Sequence, residues 1–502
     1  MNVIFIGSDR KLFEEDSEVR KRMIWYSEIF EKISIIVFAD KNLGLNVAKI
    51  GDKITLYPTN SVNKFWYMFD AWKLGKKLDL KNTVVSVQDP FESSLAGLAL
   101  KFYCRVPLQI QIHTDFENKY FIFHSFLNFI RLPIAFIALS FADSVRCVSR
   151  RIANKIHAIA HNISVLPVYT ESKITNLAEH KINTGLISIL TVARFEKEKN
   201  IETALYAFKT ASEKFNNLQF IIVGDGSEMD NLKKISNDLG LEQRVKFVGW
   251  QNDLEKYYME ADIYISSSFY EGYGMSVIEA ASAGLPLILS DTGIAGEIFH
   301  NNEEALIVEA KSAPEFSKAL ETLATDSNLR KTMGEKARKA AKANLLSKDE
   351  YLARYKKSIE EASSFFNNGW SIFKKNILLR YLISGLTGAA TNLGLLYVFT
   401  SILGIWYLYS SILSFLTALF VSFFLQKFWT FNDKNMDNAR QQFYKFLGVA
   451  LIGILVNSLF MFILVDYAHI WYISSQIITA AIVAIINFLI YKFLIFHKLK
   501  NK

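Results

Sequence analysis

The segment EGYGMSVIE, residues 271–279, places glycines between a buried apolar run, DIYISSS, and an apolar helix that continues into AASAGLP. Gly274 allows a tight turn at that junction. The amides of Met275, Ser276 and Val277 would then lie free at the start of the helix, where a phosphate binds readily. The spacing predicts a phosphate-binding turn, although an ordinary strand-to-helix turn is the structural alternative.

Two carboxylates flank this turn. Glu279 lies further into the helix, where it could accept hydrogen bonds from ribose hydroxyls. Glu271 lies at the strand end, where it could meet a sugar. The alternative is that both carboxylates are solvated surface groups.

Further residues of the same kind follow two earlier apolar runs. Arg194 and Lys199 come just after ISILTV, and two cations at a strand end could neutralise a diphosphate leaving group. Gly224 and Gly226 lie in the turn after FIIV, an arrangement common in nucleotide-binding folds and weak by itself. Each set alone also fits an ordinary surface loop.

Buried apolar runs that alternate with helical patterns must position these groups. They occur in two series, which predicts parallel sheets with crossover helices and two doubly wound α/β domains. We expect the first domain over residues 1–170 and the second over 185–345. Residues 346–376 are predicted to form a closing helix and a juxtamembrane linker.

The pattern changes from about residue 377. Four apolar segments of membrane-spanning length lie at roughly 377–400, 407–426, 443–466 and 471–491, within a domain over 377–498. Each is apolar all round rather than along one stripe, which favours an all-α transmembrane domain over a buried soluble bundle.

This region repeats itself. A shift of 65 residues aligns 378–431 with 443–496, and 13 of the 54 positions are identical. The matches include Asn392 with Asn457. They also include Lys427 with Lys492. The offset predicts two parallel repeats of a two-helix hairpin.

The charge of the chain supports a membrane partner. The net charge is +8, and residues 371–502 carry all of it, with 11 Lys and Arg against 3 Asp and Glu. Nucleic-acid-binding segments are basic and polar, whereas this one is basic and apolar, so we expect a bilayer and no nucleic acid. Basic residues precede the first predicted helix, surround the second loop and follow the last helix, which places both termini in the cytoplasm.

The ordered motifs VARFEKEKN, IIVGDGSE, VKFVGW and ADIYISSSFYEGYGMSVIEAASAGLP resemble the retaining nucleotide-sugar glycosyltransferases of family 4. The resemblance covers about residues 1–345 and implies a GT-B fold, with the sugar nucleotide in a cleft between two Rossmann-like domains. It implies that Arg194 and Lys199 hold the diphosphate. It also implies that Glu279 binds the ribose, that Glu271 binds the transferred sugar, and that no metal or other cofactor is needed.

The N-terminal half is similar to the acceptor side of that family. His113 follows LQIQI and matches a family histidine that lines the cleft near the donor sugar, although a lone histidine is more often structural. Many relatives carry a glycine-rich loop after the first strand, whereas this chain has GSDRKLFEEDSE. Arg20 and Arg22 follow that loop and either face an anionic acceptor or lie on an exposed helix face.

The last 125 residues or so resemble the GtrA-like membrane proteins, through RYLISGLTGAATN, LQKFWTF and NFLIYKFLIF. That family is associated with cell-surface polysaccharide synthesis, and some members are thought to move polyprenyl-phosphate-linked sugars. Asn392 and Asn457 are either functional or bonded between helices. Lys427 and Lys492 either extend to the interface or bind a lipid phosphate.

The sequence thus predicts a glycosyltransferase of the cytoplasmic membrane, with its catalytic part on the cytoplasmic side. It would move a hexose or similar sugar from a nucleotide sugar to a polyprenyl-linked or glycolipid acceptor, with retention. One alternative is a translocator of lipid-linked sugar whose soluble half recognises the cargo. Another is an inactive scaffold.

Overall fold

The computed structural model describes residues 1–169, 185–375, 377–431, 433, 436, 438–464, 479, 482–484, 486–487, 490–491 and 495. The chain divides into two compact units, Met1–Phe366 and Asn367–Lys502. Each unit is described by itself below.

Two sheets form the centre of the first unit. The first sheet contains β1 (Asn2–Gly7), β2 (Lys32–Val37), β3 (Ala48–Ile50), β4 (Ile54–Pro58), β5 (Thr83–Val87), β6 (Leu108–Ile112), β7 (Ser144–Cys147) and β8 (Ile163–Val165). The second sheet contains β9 (Ile187–Val192), β10 (Leu218–Val223), β11 (Val245–Gly249), β12 (Ile263–Ser266), β13 (Leu287–Ser290) and β14 (Ala305–Val308).

The strand orders are β3-β4-β2-β1-β5-β6-β7-β8 and β11-β10-β9-β12-β13-β14. Neighbouring strands are parallel except for the edge pair β3 and β4, which is antiparallel. The prediction of two parallel sheets is therefore confirmed. We call residues 1–169 the first sheet domain and residues 185–344 the second sheet domain.

Helices cover both faces of these sheets. Those of the first sheet domain are α1 (Glu18–Tyr26), α2 (Tyr67–Gly75), α3 (Glu92–Cys104), α4 (Lys119–Ile122), α5 (Phe126–Phe141) and α6 (Arg150–Ile156). Those of the second are α7 (Ile201–Lys214), α8 (Met229–Asp238), α9 (Glu255–Glu260), α10 (Met275–Ala283), α11 (Ala313–Thr325) and α12 (Ser327–Asn344). Helix α13 (Lys348–Lys375) follows them.

The apolar pattern explains this layering. Strand β1 reads NVIFIG with five of its six positions buried, as a strand covered on both faces requires. Helix α7 buries positions that recur every three or four residues, so one stripe packs on the sheet and the rest faces solvent. The carboxyl ends of the parallel strands then share one edge, where ligand-binding loops of such folds lie.

Helix α13 returns to the first sheet domain. Tyr351, Tyr355 and Ile359 are buried in the same apolar cluster as Tyr26. The rings of Tyr26 and Tyr355 stack with 4.3 Å between centroids. The last helix of the first unit therefore completes the core of its first domain.

Helix α6 begins against a loop of the second sheet domain. The backbone amides of Arg150 and Arg151 donate to the two carboxylate oxygens of Glu297, at 3.0 and 3.2 Å. The Arg151 guanidinium also donates to the carbonyls of Gly293 and Ala295 and pairs with Asp291. One helix end thus joins the two sheet domains across the cleft.

The second unit is helical. Its described helices are α14 (Ile377–Tyr397), α15 (Tyr407–Phe424) and α16 (Ala439–Phe462), with π-helical turns at Val398–Ile402 and Leu425–Thr430. Among the described residues, one helical stretch, Tyr407–Thr430, is long and apolar enough to cross a membrane. The predicted span at 471–491 lies largely outside the described residues, so the four-span arrangement stays a prediction.

Two glycines at the predicted offset, Gly388 and Gly453, have neighbours at different distances. A Cβ on Gly388 would lie 2.0 Å from Ser422 Oγ, and a Cβ on Gly453 would lie 3.6 Å from Asn487 Nδ2. Each pair is 34 residues apart, and the second pair is the first shifted by 65. The first distance leaves no room for a side chain, whereas the second is an ordinary van der Waals contact, so the duplication stays a prediction.

Candidate active site

Lys199 and Glu271 meet at the edge of the second sheet. Glu271 follows β12 and Lys199 follows β9, the strand beside it. Lys199 Nζ lies 2.5 Å from Glu271 Oε1, and the hydroxyl of Ser268 donates to the same oxygen at 2.8 Å. Both charged side chains are largely buried. The structure therefore brings together the predicted phosphate-binding cation and the predicted sugar-binding carboxylate.

Asn200 fixes the loop that carries Lys199. Its backbone is left-handed, with φ of 50°, a conformation that asparagine tolerates better than most residues. Its side-chain amide donates to the carbonyls of Ser267 and Ala310, at 2.9 and 2.7 Å. The sequence analysis missed this residue, and the only signal was an asparagine that ends a charged loop.

Arg194 lies apart from that pair. Its side chain is 68% exposed and lies 3.5 Å from Glu198. A surface ion pair of this kind contributes little to stability. The guanidinium is thus held loosely and can change partner when an anion arrives.

The helix at the turn begins at Gly274, whose φ of +102° suits glycine. Helix α10 starts with Met275 and Ser276, as predicted. The expectation of three free amides is wrong at Val277, whose N–H donates to the Gly274 carbonyl at 3.1 Å. The first turn of the helix closes on its own cap residue and satisfies that donor.

Glu279 is held by a buried tyrosine. Tyr258, on α9, is fully buried and donates its hydroxyl to Glu279 Oε2 at 2.8 Å. Burial raises the pKa of the Glu279 carboxyl, and the hydrogen bond from Tyr258 partly offsets that rise. Tyr264 is also buried and donates to the Ser276 hydroxyl at 2.8 Å. The sequence analysis missed both tyrosines, because an apolar segment with a tyrosine is typical of any core.

His113 approaches this turn from the first sheet domain. A Cβ on Gly272 would lie 1.8 Å from the His113 carbonyl oxygen, so only glycine permits the two backbones to come this close. The His113 Nε2 atom is buried and has no hydrogen-bond partner among the described residues. Burial, aided by Arg146 and Arg22, lowers the pKa of the imidazole to about 3, so the ring is neutral at physiological pH.

Gly224 and Gly226 lie in the turn after β10, as predicted. A Cβ on Gly224 would lie 1.8 Å from the Ala193 carbonyl oxygen, and one on Gly226 would lie 2.5 Å from that of Phe195. The two glycines therefore let the β9 and β10 loops pack directly against each other. They position the segment that carries Arg194.

The sequence also singled out polar and basic residues of the second unit. Lys427 is fully buried, and its Nζ contacts Asp433 Oδ2 at 2.9 Å and Gln442 Oε1 at 2.7 Å. The lysine therefore does not extend to a bilayer interface. Asn392 is half-buried on α14, Asn457 lies on α16 with its side chain outside the described part, and Lys492 lies outside the described residues.

Metal binding was not expected. Within the described part of the chain, no group of three or more His, Cys, Asp or Glu side chains could hold a metal ion. The charged side chains of the described site include Lys199, Glu271, Glu279 and Arg194, together with Glu198, which lies 3.5 Å from Arg194.

Two family models match the chain. Residues 172–340 match the model described as glycosyl transferases group 1, and residues 380–496 match the GtrA/DPMS transmembrane domain. The chain thus carries a glycosyltransferase group 1 domain and a GtrA/DPMS transmembrane domain.

Curated relatives are similar to parts of the chain. The lipopolysaccharide core biosynthesis glycosyltransferase LpsE of Rhizobium meliloti is 26% identical over 199 residues, which are 39% of this chain and 57% of LpsE. The UDP-Gal:alpha-D-GlcNAc-diphosphoundecaprenol alpha-1,3-galactosyltransferase of Escherichia coli is 32% identical over 108 residues, 21% of this chain and 28% of that enzyme. The chain spans just over half of the first relative and about a quarter of the second.

A solved structure shows the fold. Sucrose-phosphate synthase from Thermosynechococcus elongatus superposes with a TM-score of 0.58 at 17% identity, and the match covers 74% of this chain and 100% of that structure. The first unit accordingly has a GT-B-like fold, as predicted.

Proposed function

We propose that this protein transfers a sugar from a nucleotide sugar to a lipid-linked or glycolipid acceptor, with retention at the anomeric carbon. The contact between Lys199 and Glu271 carries the proposal, because it joins a cation for a leaving diphosphate to a carboxylate for sugar hydroxyls at one strand edge. The name of the Escherichia coli relative supports both the donor class and the acceptor class.

The basic and acidic residues of the site have different roles in this proposal. Lys199 and the loosely held Arg194 stabilise the negative charge that develops on the diphosphate as the glycosidic bond breaks. Glu279 accepts hydrogen bonds from the ribose, and Glu271 accepts them from the transferred sugar. Neutral His113, which has an unused ring nitrogen, lines the cleft near that sugar.

The second unit anchors the enzyme in this proposal. Its four helices arise from a duplicated hairpin, and the basic loops hold both termini on the cytoplasmic side. Nucleotide sugars are cytosolic, so this orientation gives the site its donor. The 13 identities at the 65-residue offset support the duplication.

The test uses membranes that carry the full chain. A panel of nucleotide sugars is incubated with them and scored for release of the nucleotide. Lys199→Met and Glu271→Gln should each lower the rate by about 100-fold or more, the usual effect of removing one group that stabilises transition-state charge.

A matched control accompanies those variants. Lys209→Met removes a lysine from the exposed face of α7, where it pairs with Glu213, and should leave the rate unchanged. Equal rates in wild type and in both site variants would contradict the proposed site.

A translocator of polyprenyl-phosphate-linked sugar is the second candidate, because residues 380–496 match the GtrA/DPMS transmembrane domain. The full chain is reconstituted in liposomes, and the movement of a lipid-linked sugar between leaflets is measured. In the Lys199→Met variant, translocation should persist if it is the main activity. A chain that releases nucleotide and moves no lipid-linked sugar would exclude this candidate.

A further inference from the structure

A cavity of about 180 Å³ lies in the first unit beside His113. Its lining includes Arg22, Gln88, Arg146 and Tyr351. A water molecule needs only about 10–15 Å³ of such space, so the cavity has room for a polyatomic ligand. A second cavity of about 190 Å³ shares Arg22, Gln88 and His113 with the first, so the two adjoin at these side chains.

Arg146 is a buried cation without a carboxylate. The residue is 2% exposed, and its guanidinium donates to Gln111 Oε1, the Pro167 carbonyl and the Tyr351 hydroxyl, all of which are neutral. Its Nε atom is buried and has no hydrogen-bond partner within the described part of the chain. Among the described residues its hydrogen-bond partners include no carboxylate, and its guanidinium lies 5.0 Å from the centroid of the Tyr355 ring, so dipoles and an aromatic face hold the buried charge in place of a counter-ion.

Arg22 adds a second positive charge. It lies on α1, where Met23 and Tyr26 face the core. Among the residues that the structure describes, it has neither an ion pair nor a hydrogen bond, and it lines both cavities. Arg20 differs, because it lies 3.9 Å from Glu15 and lines neither cavity. Of the two arginines singled out in the sequence, Arg22 is thus the one that faces a ligand-sized space.

Among the residues that line the first cavity, no carboxylate balances the two arginines, whereas Asp9 lines the second cavity together with Arg22. Tyr26 and Tyr355 remain protonated, because burial raises the pKa of each hydroxyl. His113 is neutral, because burial and both arginines lower its pKa. An anion that entered would therefore meet Arg22, Gln88 and Arg146, all of which line the cavity.

We propose that this cavity binds a compact oxyanion, a phosphate or a carboxylate, carried by the acceptor. The assignment to the acceptor rests on the proposed function, since the cavity adjoins His113, whose backbone touches the donor-side turn at Gly272. Arg22 selects for the charge, and Arg146 fixes the position of the group through its planar donors.

Binding of small ions tests the site itself. The full chain, purified in detergent, is titrated with inorganic phosphate and separately with acetate by calorimetry, at constant ionic strength set with chloride. A Lys199→Met background removes ion binding at the donor diphosphate site. In that background, Arg22→Gln should weaken binding of the preferred ion at least tenfold, and Arg20→Gln should change it less than twofold.

The two titrations, with phosphate and with acetate, identify which anionic group the acceptor carries. Tighter binding of phosphate indicates a phosphate-bearing acceptor, and tighter binding of acetate indicates a carboxylate-bearing one. Arg146→Met should also abolish binding; if that variant does not fold, Arg22→Gln alone decides. Binding of neither ion, or equal binding in Arg22→Gln and its parent, overturns the proposal.

Failure of the proposed function is recognised separately. Nucleotide release by the wild-type chain, with no binding of phosphate or acetate, overturns the anion site and leaves the transfer reaction intact. Binding of an ion that depends on Arg22, with no nucleotide released from any sugar nucleotide, overturns the link to the acceptor.

Discussion

The hydrogen bond from Tyr258 to Glu279 gives a quantitative test of the nucleotide site. Tyr258→Phe removes one donor, at 2.8 Å, from a carboxylate that burial already destabilises. A hydrogen bond to a charged group contributes about 1.5–3 kcal/mol. Loss of a donor that favours the ionised form should therefore raise the pKa of Glu279 further above its ordinary value in the variant.

The direction of the pH effect depends on which protonation state of Glu279 binds the ribose. The ionised carboxylate accepts hydrogen bonds from ribose hydroxyls, and the protonated acid is a poorer acceptor. Nucleotide affinity should therefore fall as the pH decreases through the pKa of Glu279, which burial places above its ordinary value. In Tyr258→Phe, the same fall should occur at a higher pH than in the wild type.

The assay measures binding of UDP to the full chain in detergent by calorimetry at a series of pH values between 5 and 8.5, with all other conditions held constant. Tyr206→Phe is the control, because Tyr206 lies on the exposed side of α7. An unchanged midpoint in Tyr258→Phe, or a midpoint displaced to lower pH, would refute the argument that Glu279 is a ribose-binding carboxylate under the control of Tyr258.

Three further predictions concern the two sheet domains. The His113 ring should show no titration between pH 5 and 8 by nitrogen NMR, because its pKa is about 3, and a midpoint near 6.5 would show that the ring is solvated. Gly272→Ala should lower nucleotide release by about 100-fold while UDP still binds. The new Cβ would lie 1.8 Å from the His113 carbonyl oxygen and must push the two sheet domains apart. An unchanged rate would mean that the reaction does not need this close approach of the two domains. Asp143→Asn should lower the free energy of unfolding by about 3–5 kcal/mol, because it leaves the ammonium of Lys101 buried without a counter-charge and replaces one carboxylate oxygen, and a urea midpoint equal to that of wild type would contradict this.

Most of the first unit could be predicted from the sequence, because fully buried parallel strands are continuous apolar runs. The exceptions are β3 and β4. Strand β3 has three residues and lies at the sheet edge, and β4, the next strand in, has five residues that alternate between buried and half-buried. Short edge strands of this kind carry little of the apolar signal that marks a central strand.

The candidate site could be predicted where chemistry and turn residues coincide in one motif. Glu271 and Lys199 were found in this way, and they lie in contact. Tyr258 and Asn200 were missed, because each acts through a partner that only the fold brings near: Tyr258 lies 21 residues before Glu279. Burial of a tyrosine has the same sequence pattern whether its hydroxyl serves a core or a ligand site.

Lys427 shows the same limit in the second unit. A lysine at the end of an apolar segment predicts a group that extends to the bilayer interface. The structure instead buries it against Asp433 and Gln442, which lie 6 and 15 residues further along the chain. Neither partner belongs to the apolar segment, so the pattern of that segment gave no sign of them.

The junction between α6 and Glu297 gives cleft closure an observable signal. The amides of Arg150 and Arg151 belong to the first sheet domain, and the carboxylate that accepts from them belongs to the second. Opening the cleft therefore removes the cap of this helix, and its first turn loses protection from solvent at the same moment. At a pH where exchange is faster than reclosing, hydrogen exchange at these two amides gives the opening rate, and comparing that rate with turnover would show whether the cleft opens once in each catalytic cycle.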